Sequence, residues 1–583
     1  MAYVADFETT TKIEDCRVWA WGITIVENDT HFEYGNTIDG FLQWLGWHDG
    51  AKVYFHNQKF DGEFLLAKFF ELGYKHTQRR AIKPGEIKTL IGDMGQFYSM
   101  EVCLFAGQKI TFWDSLKLIP LSVEEIPEAF GLDVQKGEID YDAEREEGHE
   151  LTDDEIVYLR RDVCIVAKAL KIMFAEGLKR MTQAGNALAE YKQIVGKKFF
   201  DRNFPTCKND SYIRKAYRGG FTYLNPVWAD VDILWIYVFD VNSLYPYVMY
   251  DKPMPYGEGK YFKGKYKPDE FYNLYVQRLR CAFELKPNKI PTLQLKNNLK
   301  FCATEYLESS NNEFIELTLT SVDLKLFFDQ YEAFEVEYID GYMYRSRTDM
   351  FKSYIDKWTA IKIEAGKQGN KGLRQIAKLM LNSLYGRFAI TPECRGKEPY
   401  LDENGVVKYR LTPKQQRKAL YIPVGAFITA YAREKTIRTS QAIKDYSLKK
   451  YGVDMYIYSD TDSIHTTLKP EECKQFMEID DYKLGAWKHE STAIKGRFIR
   501  AKTYLEFEIK KEVPGMKWIH KKVTCAGMPK KCYNRVTWEN FHPGLTVDGK
   551  LVPKHVKGGI VLSNTTFEIK HLTKKNKNDR MGV

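Results

Sequence analysis

The chain has 583 residues, 44% hydrophobic and 28% charged, a globular balance that excludes a disordered class and predicts about three to five domains of ordinary size. No apolar run approaches the roughly 18 residues of a membrane span, and Asp6 stands where a signal peptide needs a basic flank and then an apolar stretch, so a cytoplasmic protein with no membrane partner is expected. Ten cysteines without a CxxC pair predict reduced thiols and neither zinc nor a disulfide framework, while a net charge of +9, with eight Lys/Arg against two acids from Lys550 to Val583, hints at a polyanionic partner.

In chain order, Tyr3 to Phe7 and Val18 to Ile25 read as strands and Asp153 to Glu176 as a long helix capped by Thr152 or Asp153. These place an α/β unit over residues 1 to about 185. The acidic run Glu138 to Glu150 between them reads as a solvated loop without function. A second unit begins after Met181 and contains the strand-like stretches Leu234 to Asp240 and Tyr456 to Ser459. Two polar, Pro- and Gly-punctuated segments, about Asp251 to Tyr344 and about Thr391 to Lys418, read as folded insertions.

Asp6 and Glu8 lie two apart in a strand, so both carboxylates leave one face. Asp61 follows in His56-Asn-Gln-Lys-Phe-Asp61-Gly, and Tyr158 and Asp162 share one face of the long helix. Four converging carboxylates repel one another unless hard cations lie between them, and Mg²⁺ held by carboxylates and water suits phosphodiester cleavage. Alone, each pair is an ordinary surface feature. A second acidic set is formed by Asp240, which ends the apolar run Ile233 to Phe239, and by Asp460 and Asp462 in Tyr458-Ser-Asp-Thr-Asp-Ser463. The latter pair would alone read as turn residues.

The spacing predicts one helix from Lys371 to Phe388, with Leu373, Ile376, Ala377, Met380, Leu381 and Leu384 on the side facing a core. At about 100° per residue, Lys371, Arg374, Lys378, Asn382 and Tyr385 fall within about 80° on the opposite side. A solvated face accounts for the cations, but not for Asn and Tyr followed by Gly386. A ridge that meets phosphates and base edges accounts for all of them.

Asp240-Val-Asn-Ser-Leu-Tyr-Pro246, Lys378-Leu-Met-Leu-Asn-Ser-Leu-Tyr-Gly386 and Tyr458-Ser-Asp-Thr-Asp-Ser463 resemble, in order, motifs A, B and C of family B DNA polymerases. The upstream acids with Tyr158 resemble the DEDDy proofreading exonucleases. More narrowly the chain is similar, from about Tyr3 to Lys570, to the protein-primed branch, the replicases of small phages with linear, terminal-protein-bearing genomes. That branch is favoured by the position of the first acid, which leaves no room for an N-terminal domain, by the two insertions, and by Ser115-Leu116, Lys136-Gly-Glu-Ile139, Tyr217-Arg-Gly-Gly220, Thr429-Ala-Tyr-Ala-Arg433 and Lys502-Thr-Tyr504 standing in order. Ser459, Gln58 and Arg387 depart from commoner residues without removing a catalytic group.

The resemblance implies an α/β and α+β multidomain fold: an RNase H-like DEDDy 3′–5′ exonuclease domain over 1–185, then a right-hand polymerase domain over 186–583. The palm would occupy about 186–250, 345–360 and 425–530, and the fingers about 358–390. Terminal-protein-region insertions would lie at about 251–344 and 391–423, the thumb at about 531–570 and a tail at 571–583. It further implies two Mg²⁺ ions per site, with Mn²⁺ able to substitute: Asp6, Glu8, Asp61 and Asp162 as exonuclease ligands, with Tyr158 orienting water and Lys136 supporting it, and Asp240, the Val241 backbone and Asp462 as polymerase ligands, with Asp460 in a lesser role. Tyr245, Lys362, Lys371, Lys378, Asn382 and Tyr385 would bind the dNTP, Tyr245 excluding a 2′-hydroxyl. His56, Asn57, Phe60, Ser115 and Leu116 would guide a single strand, and Tyr217, Arg218, Gly219, Gly220, Thr429, Arg433, Lys502 and Tyr504 would hold primer or template. The implied partners are primer-template and single-stranded DNA, dNTPs and a terminal protein serving as primer, with the enzyme a monomer in the bacterial host cytoplasm. The rival readings are a DNA-primed family B repair polymerase, a nuclease whose polymerase-like half only binds DNA, and a catalytically silent scaffold, the last opposed by the acids retained in both sets.

Overall fold

A computed structural model describes residues 1–141, 143–294, 306–513 and 516–571. All but the first residue of the predicted tail, 571–583, lies outside the described residues, as does the middle of the first insertion.

Alternating and continuous apolar stretches build a first sheet of eight strands, ordered Phe32–Gly35, Val18–Ile25, Ala2–Thr9, Lys52–Phe55, Lys109–Asp114, Phe97–Cys103, Glu86–Ile91, Lys75–His76. Ala2–Thr9 pairs antiparallel with Val18–Ile25 and parallel with Lys52–Phe55, which puts it at the centre of the sheet and carries Asp6 and Glu8 with it. The long helix spans Asp153–Ala175. Thr152 caps it reciprocally with Glu155, satisfying two of the backbone N–H groups that a helix start leaves unpaired. The helix packs on the first two strands, delivering Tyr158 and Asp162 to the Asp6 face.

A second, antiparallel sheet of seven strands runs Met516–Cys525, Thr503–Val513, Trp487–Arg500, Ile233–Val241, Ser463–Thr466, Tyr456–Asp460, Thr222–Leu224. Its central strand carries Asp240 as its last residue but one, and the neighbouring hairpin turns at Thr461 and Asp462. A 30-residue helix, Ile422–Tyr451, packs against this sheet and is buried along most of its first half. The helices Lys352–Lys367 and Lys371–Ser383 pack against each other as a pair. The first insertion builds its own four-stranded sheet and a separate apolar core. The second is a hairpin, Lys397–Leu401 with Val407–Leu411, and a last hairpin, Thr546–Val556 with Gly559–Glu568, packs on a third core.

The predicted continuous helix from Lys371 to Phe388 is interrupted. It ends at Ser383, and a short helix Tyr385–Ala389 follows. Ser383 Oγ donates to the Leu379 carbonyl at 2.6 Å, and the Arg387 N–H reaches only to the Leu384 carbonyl at 3.1 Å. A serine hydroxyl that takes the carbonyl four residues back competes with the backbone ladder and bends the helix there.

Candidate active sites

On the first sheet, ligand oxygens of Asp6, Glu8 and Asp162 lie within 4.8 Å of one another. Asp61 enters from the first turn of the helix Gln58–Glu71 and is buried beside Asp6 and Glu8, whose charges it feels. Burial, and then repulsion from Asp162, pushes Asp6 up to about 7, while Glu8 and Asp61 stand well above the ordinary carboxylate range because of burial and their neighbours' charge. One buried oxygen of Asp162, Oδ1, has no hydrogen-bond partner among the described residues; the other accepts from Lys136 Nζ at 2.6 Å. Oxygen donors this close and this starved of positive charge fit a divalent cation.

Burial of carboxylates beside like charges has a pH signature. Folding raises Asp6, and likewise Asp240 below, from 3.8 to about 7, so between those values the folded protein binds more protons than the unfolded chain. Stability of the metal-free protein therefore falls as pH rises from about 4 to about 7, and saturating Mg²⁺ reverses most of that loss. Thermal midpoints across this range in EDTA and in Mg²⁺ check it.

Tyr158 sits over the Lys136 ammonium at 5.6 Å, and its hydroxyl is 2.8 Å from that of Tyr141. Tyr141 belongs to the acidic run, which is therefore not merely a solvated loop. Arg145 from the same run is bound to Glu155 at 2.7 Å and stacks on Trp19, folding the loop back over the site. His56 is held by Leu121 O at 2.7 Å and Ser115 Oγ at 2.9 Å. Ser115 itself is fully buried and bonded to Phe55 O, so it positions His56 rather than meeting a strand. Asn57 is exposed, Phe60 half-buried and Leu116 half-buried beside them. Asp114, absent from the sequence reading, accepts the Asn57 and Leu116 N–H groups at 3.0 Å each.

On the second sheet Asp240 pairs with Ser463, and the Val241 N–H donates to Asp462 O at 2.8 Å, which fixes the two acidic segments side by side. Val241 is buried, leaving only its backbone to offer a ligand. Burial, and then Asp462 and Glu490, pushes Asp240 up to about 7, with Lys378 and Lys488 opposing. Burial and neighbouring acids raise Asp462 too. Asp460 has its oxygens engaged by Lys502 Nζ at 2.8 and 2.7 Å, Thr222 Oγ1 at 3.1 Å and Tyr458 at 3.3 Å, which leaves it a supporting place. The Lys502 N–H also donates to Tyr458 Oη at 3.0 Å, and Tyr504 stacks on Phe498, largely buried.

Tyr245, from the helix that follows Asp240, stacks on Tyr385 with centroids 3.9 Å apart. The ridge Lys371, Arg374, Lys378 and Asn382 is exposed. Lys362 comes to it from the partner helix: burial, then Arg374 and Lys378, lower its pKa. Lys371 is set apart, its side chain packed against Gly131 of the first unit. The cationic row is therefore Lys362, Arg374 and Lys378, and Lys371, expected among the dNTP contacts, stands apart from it at the helix start.

The description "DNA polymerase type B, organellar and viral" matches residues 48–150 and 142–479 of this chain. The chain is 43% identical to the DNA polymerases of Bacillus phages Nf and phi29, in each case over 97% of this chain and 99% of the relative, and 32% identical to that of Streptococcus phage Cp-1 over 97% and 98%. It belongs to the organellar and viral type B DNA polymerases. Solved structures agree. Phi29 DNA polymerase complexed with primer-template DNA superposes with a TM-score of 0.90 at 42% identity, over 98% of this chain and all of that one. Phi29 polymerase with primer-template DNA and incoming nucleotide gives 0.89.

In this type B polymerase several residues expected to touch DNA are interior. Arg433 is buried and bonded to Asp323 at 2.8 Å and to the Arg218 and Gly219 carbonyls at 2.8 and 2.7 Å. Arg218 is buried against Thr318 O, and Thr429 bonds to its own helix. Arg433 is a strut rather than a DNA contact, because a buried guanidinium already paired with a carboxylate has nothing left to offer phosphate; Arg218 and Thr429 are buried beside it. Tyr217 is half-buried and Gly219 exposed. Gly220 is not an ordinary turn residue: a Cβ there would lie 2.5 Å from Thr461 Oγ1, in the turn that carries Asp462. Its absence lets the loop between the two units press on the second acidic site.

Glu490 was missed. Trp487–Arg500 pairs with the Asp240 strand with Lys488 opposite Asp240, but a bulge between Val238 and Phe239 leaves Glu490 out of register. The bulge re-aims it toward Asp240 and Asp462, and no periodicity in the sequence predicts a bulge.

Proposed function

We propose that the chain is a template-directed, dNTP-using DNA polymerase with a 3′–5′ proofreading exonuclease, which replicates a linear genome from a protein primer and continues by strand displacement. What carries this reading is the presence, in one chain of this family, of two separate carboxylate centres on two different sheets, one beside a tyrosine and lysine and the other beside an exposed cationic row.

In the nuclease, Asp6, Glu8, Asp61 and Asp162 would hold the cations, Lys136 anchors Asp162, and Tyr158 orients the attacking water. His56, Asn57, Phe60 and Leu116 receive a frayed 3′ end, where stacking on an aromatic ring is worth about 1–3 kcal/mol per base. In the polymerase, Asp240, Asp462 and the Val241 carbonyl would hold the cations, with Glu490 beside them. Mg²⁺ bound at either set, or Mn²⁺ in its place, supplies Lewis acidity that lowers the pKa of the attacking hydroxyl or water and neutralises phosphate charge. Lys362, Arg374 and Lys378 meet the triphosphate, whose charge they match as point donors and a fork. Asn382 and Tyr385 line the nascent pair. Lys502, Tyr504 and the Tyr217–Gly220 loop steady the primer terminus and template. The domain assignment follows: the first sheet is the exonuclease, the second the palm, and the paired helices 352–389 the fingers.

Tyr245, supported from behind by the Tyr385 ring, is the sugar gate. Tyr245→Val is expected to raise ribonucleotide incorporation relative to dNTP by about 10- to 100-fold, the range that one pocket contact controls; competing rNTP and dNTP insertion on a fixed template checks it.

Protein priming is tested by supplying a terminal protein and a template without any DNA primer. Covalent linkage of the first nucleotide to the protein's hydroxyl supports the full reading, whereas extension confined to DNA primers selects a repair polymerase.

A further inference from the structure

The hairpin that carries Asp460 and Asp462 turns through two residues, Thr461 and Asp462, between the paired Asp460 and Ser463. Thr461 takes φ +64°, a left-handed conformation that β-branched residues rarely enter. Such a conformation persists only where neighbouring groups over-determine it. The groups that hold Thr461 come from outside the hairpin. Its N–H donates to Phe221 O at 2.6 Å, and its carbonyl accepts from Thr436 Oγ1 at 2.7 Å. That carbonyl belongs to the peptide joining Thr461 to Asp462, whose N–H donates to Asp460 O at 2.8 Å. The peptide from which Asp462 hangs is thus held at both ends, by its own hairpin and by Thr436.

Thr436 lies in the helix Ile422–Tyr451 and is fully buried. A threonine inside a helix commonly turns its hydroxyl back to a carbonyl three or four residues earlier. Two threonines of this helix do so: Thr429 bonds to the Gly425 and Ala426 carbonyls at 3.2 Å, and Thr439 to Lys435 O at 2.9 Å. Thr436 is 3.4 Å from Ala432 O but 2.7 Å from Thr461 O, so its single proton goes to the turn. At about 100° per residue, Ser440 and Ser447 fall within about 40° of Thr436 on the helix surface, and both are fully buried. Ser440 Oγ is 3.1 Å from Ser459 Oγ, which also accepts from Tyr456 Oη at 3.0 Å, and Ser447 Oγ accepts the Met455 N–H at 3.1 Å. One hydroxyl-bearing face of the helix therefore follows the hairpin, and Thr436 is the member that reaches its turn.

We infer that Thr436 is a positioning residue of the polymerase centre: through the Thr461 carbonyl it fixes the peptide that bears Asp462, and so sets where the Asp462 carboxylate stands beside Asp240. The inference rests on the polymerase reading above, in which Asp462 holds a cation, and adds to it the side chain that aims the ligand. Valine at 436 keeps the branched shape and donates nothing. The Thr461 carbonyl then loses its partner, and the left-handed residue loses one of the constraints that keep it there.

The test uses the full chain and a primed template. Thr436→Val is expected to lower the maximal rate of single-nucleotide insertion at saturating dNTP by about 10- to 100-fold, the usual effect of losing a group that orients a ligand. The KM for dNTP stays within about 3-fold of wild type, because the triphosphate contacts are untouched. Thr436→Ala, which needs less room, shows the same loss, and Thr436→Ser, which keeps the hydroxyl, restores most of the rate. Degradation of single-stranded 3′ ends stays at the wild-type rate in all three. A second readout needs neither metal nor turnover: in EDTA, hydrogen exchange of the 460–463 amides is expected to quicken about 10-fold in Thr436→Val, with the strands Ile233–Val241 and Trp487–Arg500 exchanging as in wild type. Wild-type insertion by Thr436→Val overturns the inference. So does a loss that Thr436→Ser leaves unrepaired, or exchange that quickens across the whole sheet, since either marks general packing. A wild-type protein that incorporates nothing overturns the polymerase reading, and exchange in EDTA still decides whether Thr436 holds the turn.

Discussion

Asp240→Asn and Asp462→Asn are each expected to lower nucleotide incorporation by about 10³-fold or more, with degradation of a single-stranded 3′ end unchanged. Both carboxylates are lifted by burial and by neighbouring acids, the state of ligands waiting for a cation. Asparagine keeps the size and one oxygen but removes the charge, so the loss reports cation binding rather than packing. A 10³-fold loss corresponds to about 4 kcal/mol of transition-state stabilisation, in keeping with removal of a charged ligand to a catalytic metal. Asp460→Asn is the internal control. Its carboxylate is already engaged by Lys502, Thr222 and Tyr458, so a smaller loss is expected, mainly in binding of the primer terminus. Primer extension and single-turnover insertion for the three variants separate these outcomes; equal losses for Asp460 and Asp462 contradict the assignment.

The mirror result is expected on the first sheet. Asp6→Ala and Asp61→Ala lower 3′-end degradation by about 10³-fold, with incorporation intact. Tyr158→Phe and Lys136→Ala act through orientation of water and of Asp162, and each is expected to cost about 10- to 100-fold, the usual effect of a group that positions a ligand or reactant. Degradation of a labelled single strand and of a mismatched primer, beside extension of a matched one, checks the separation. If Asp6→Ala abolishes both activities, the two centres are not independent.

Much of both centres was legible in the sequence because it lies in regular elements. Strand alternation puts Asp6 and Glu8 on one face, helical spacing puts Tyr158 with Asp162, and the apolar run before Asp240 makes it the end of a buried strand. Arg374, Lys378 and Asn382 on one exposed face followed from the 3.6-residue period, whereas Lys362 joins them from a second helix. What stayed hidden depends on tertiary contact or on irregular backbone. Glu490 reaches Asp240 through a β-bulge, Tyr141 through a loop that composition marks only as acidic, and the helix break at Leu384 through one serine hydroxyl. Arg433, expected to hold primer or template, is revealed as a strut only by its burial against Asp323 and backbone carbonyls.

The central claim is that one chain extends DNA processively while displacing the strand ahead. The measurement that meets it most directly is incorporation of labelled dNTPs with Mg²⁺ on a primed single-stranded circle, with a heparin trap added after binding. Product many circuits long from a single binding event is the predicted result. Product that stops within one circuit, where the enzyme meets its own 5′ end, would contradict it.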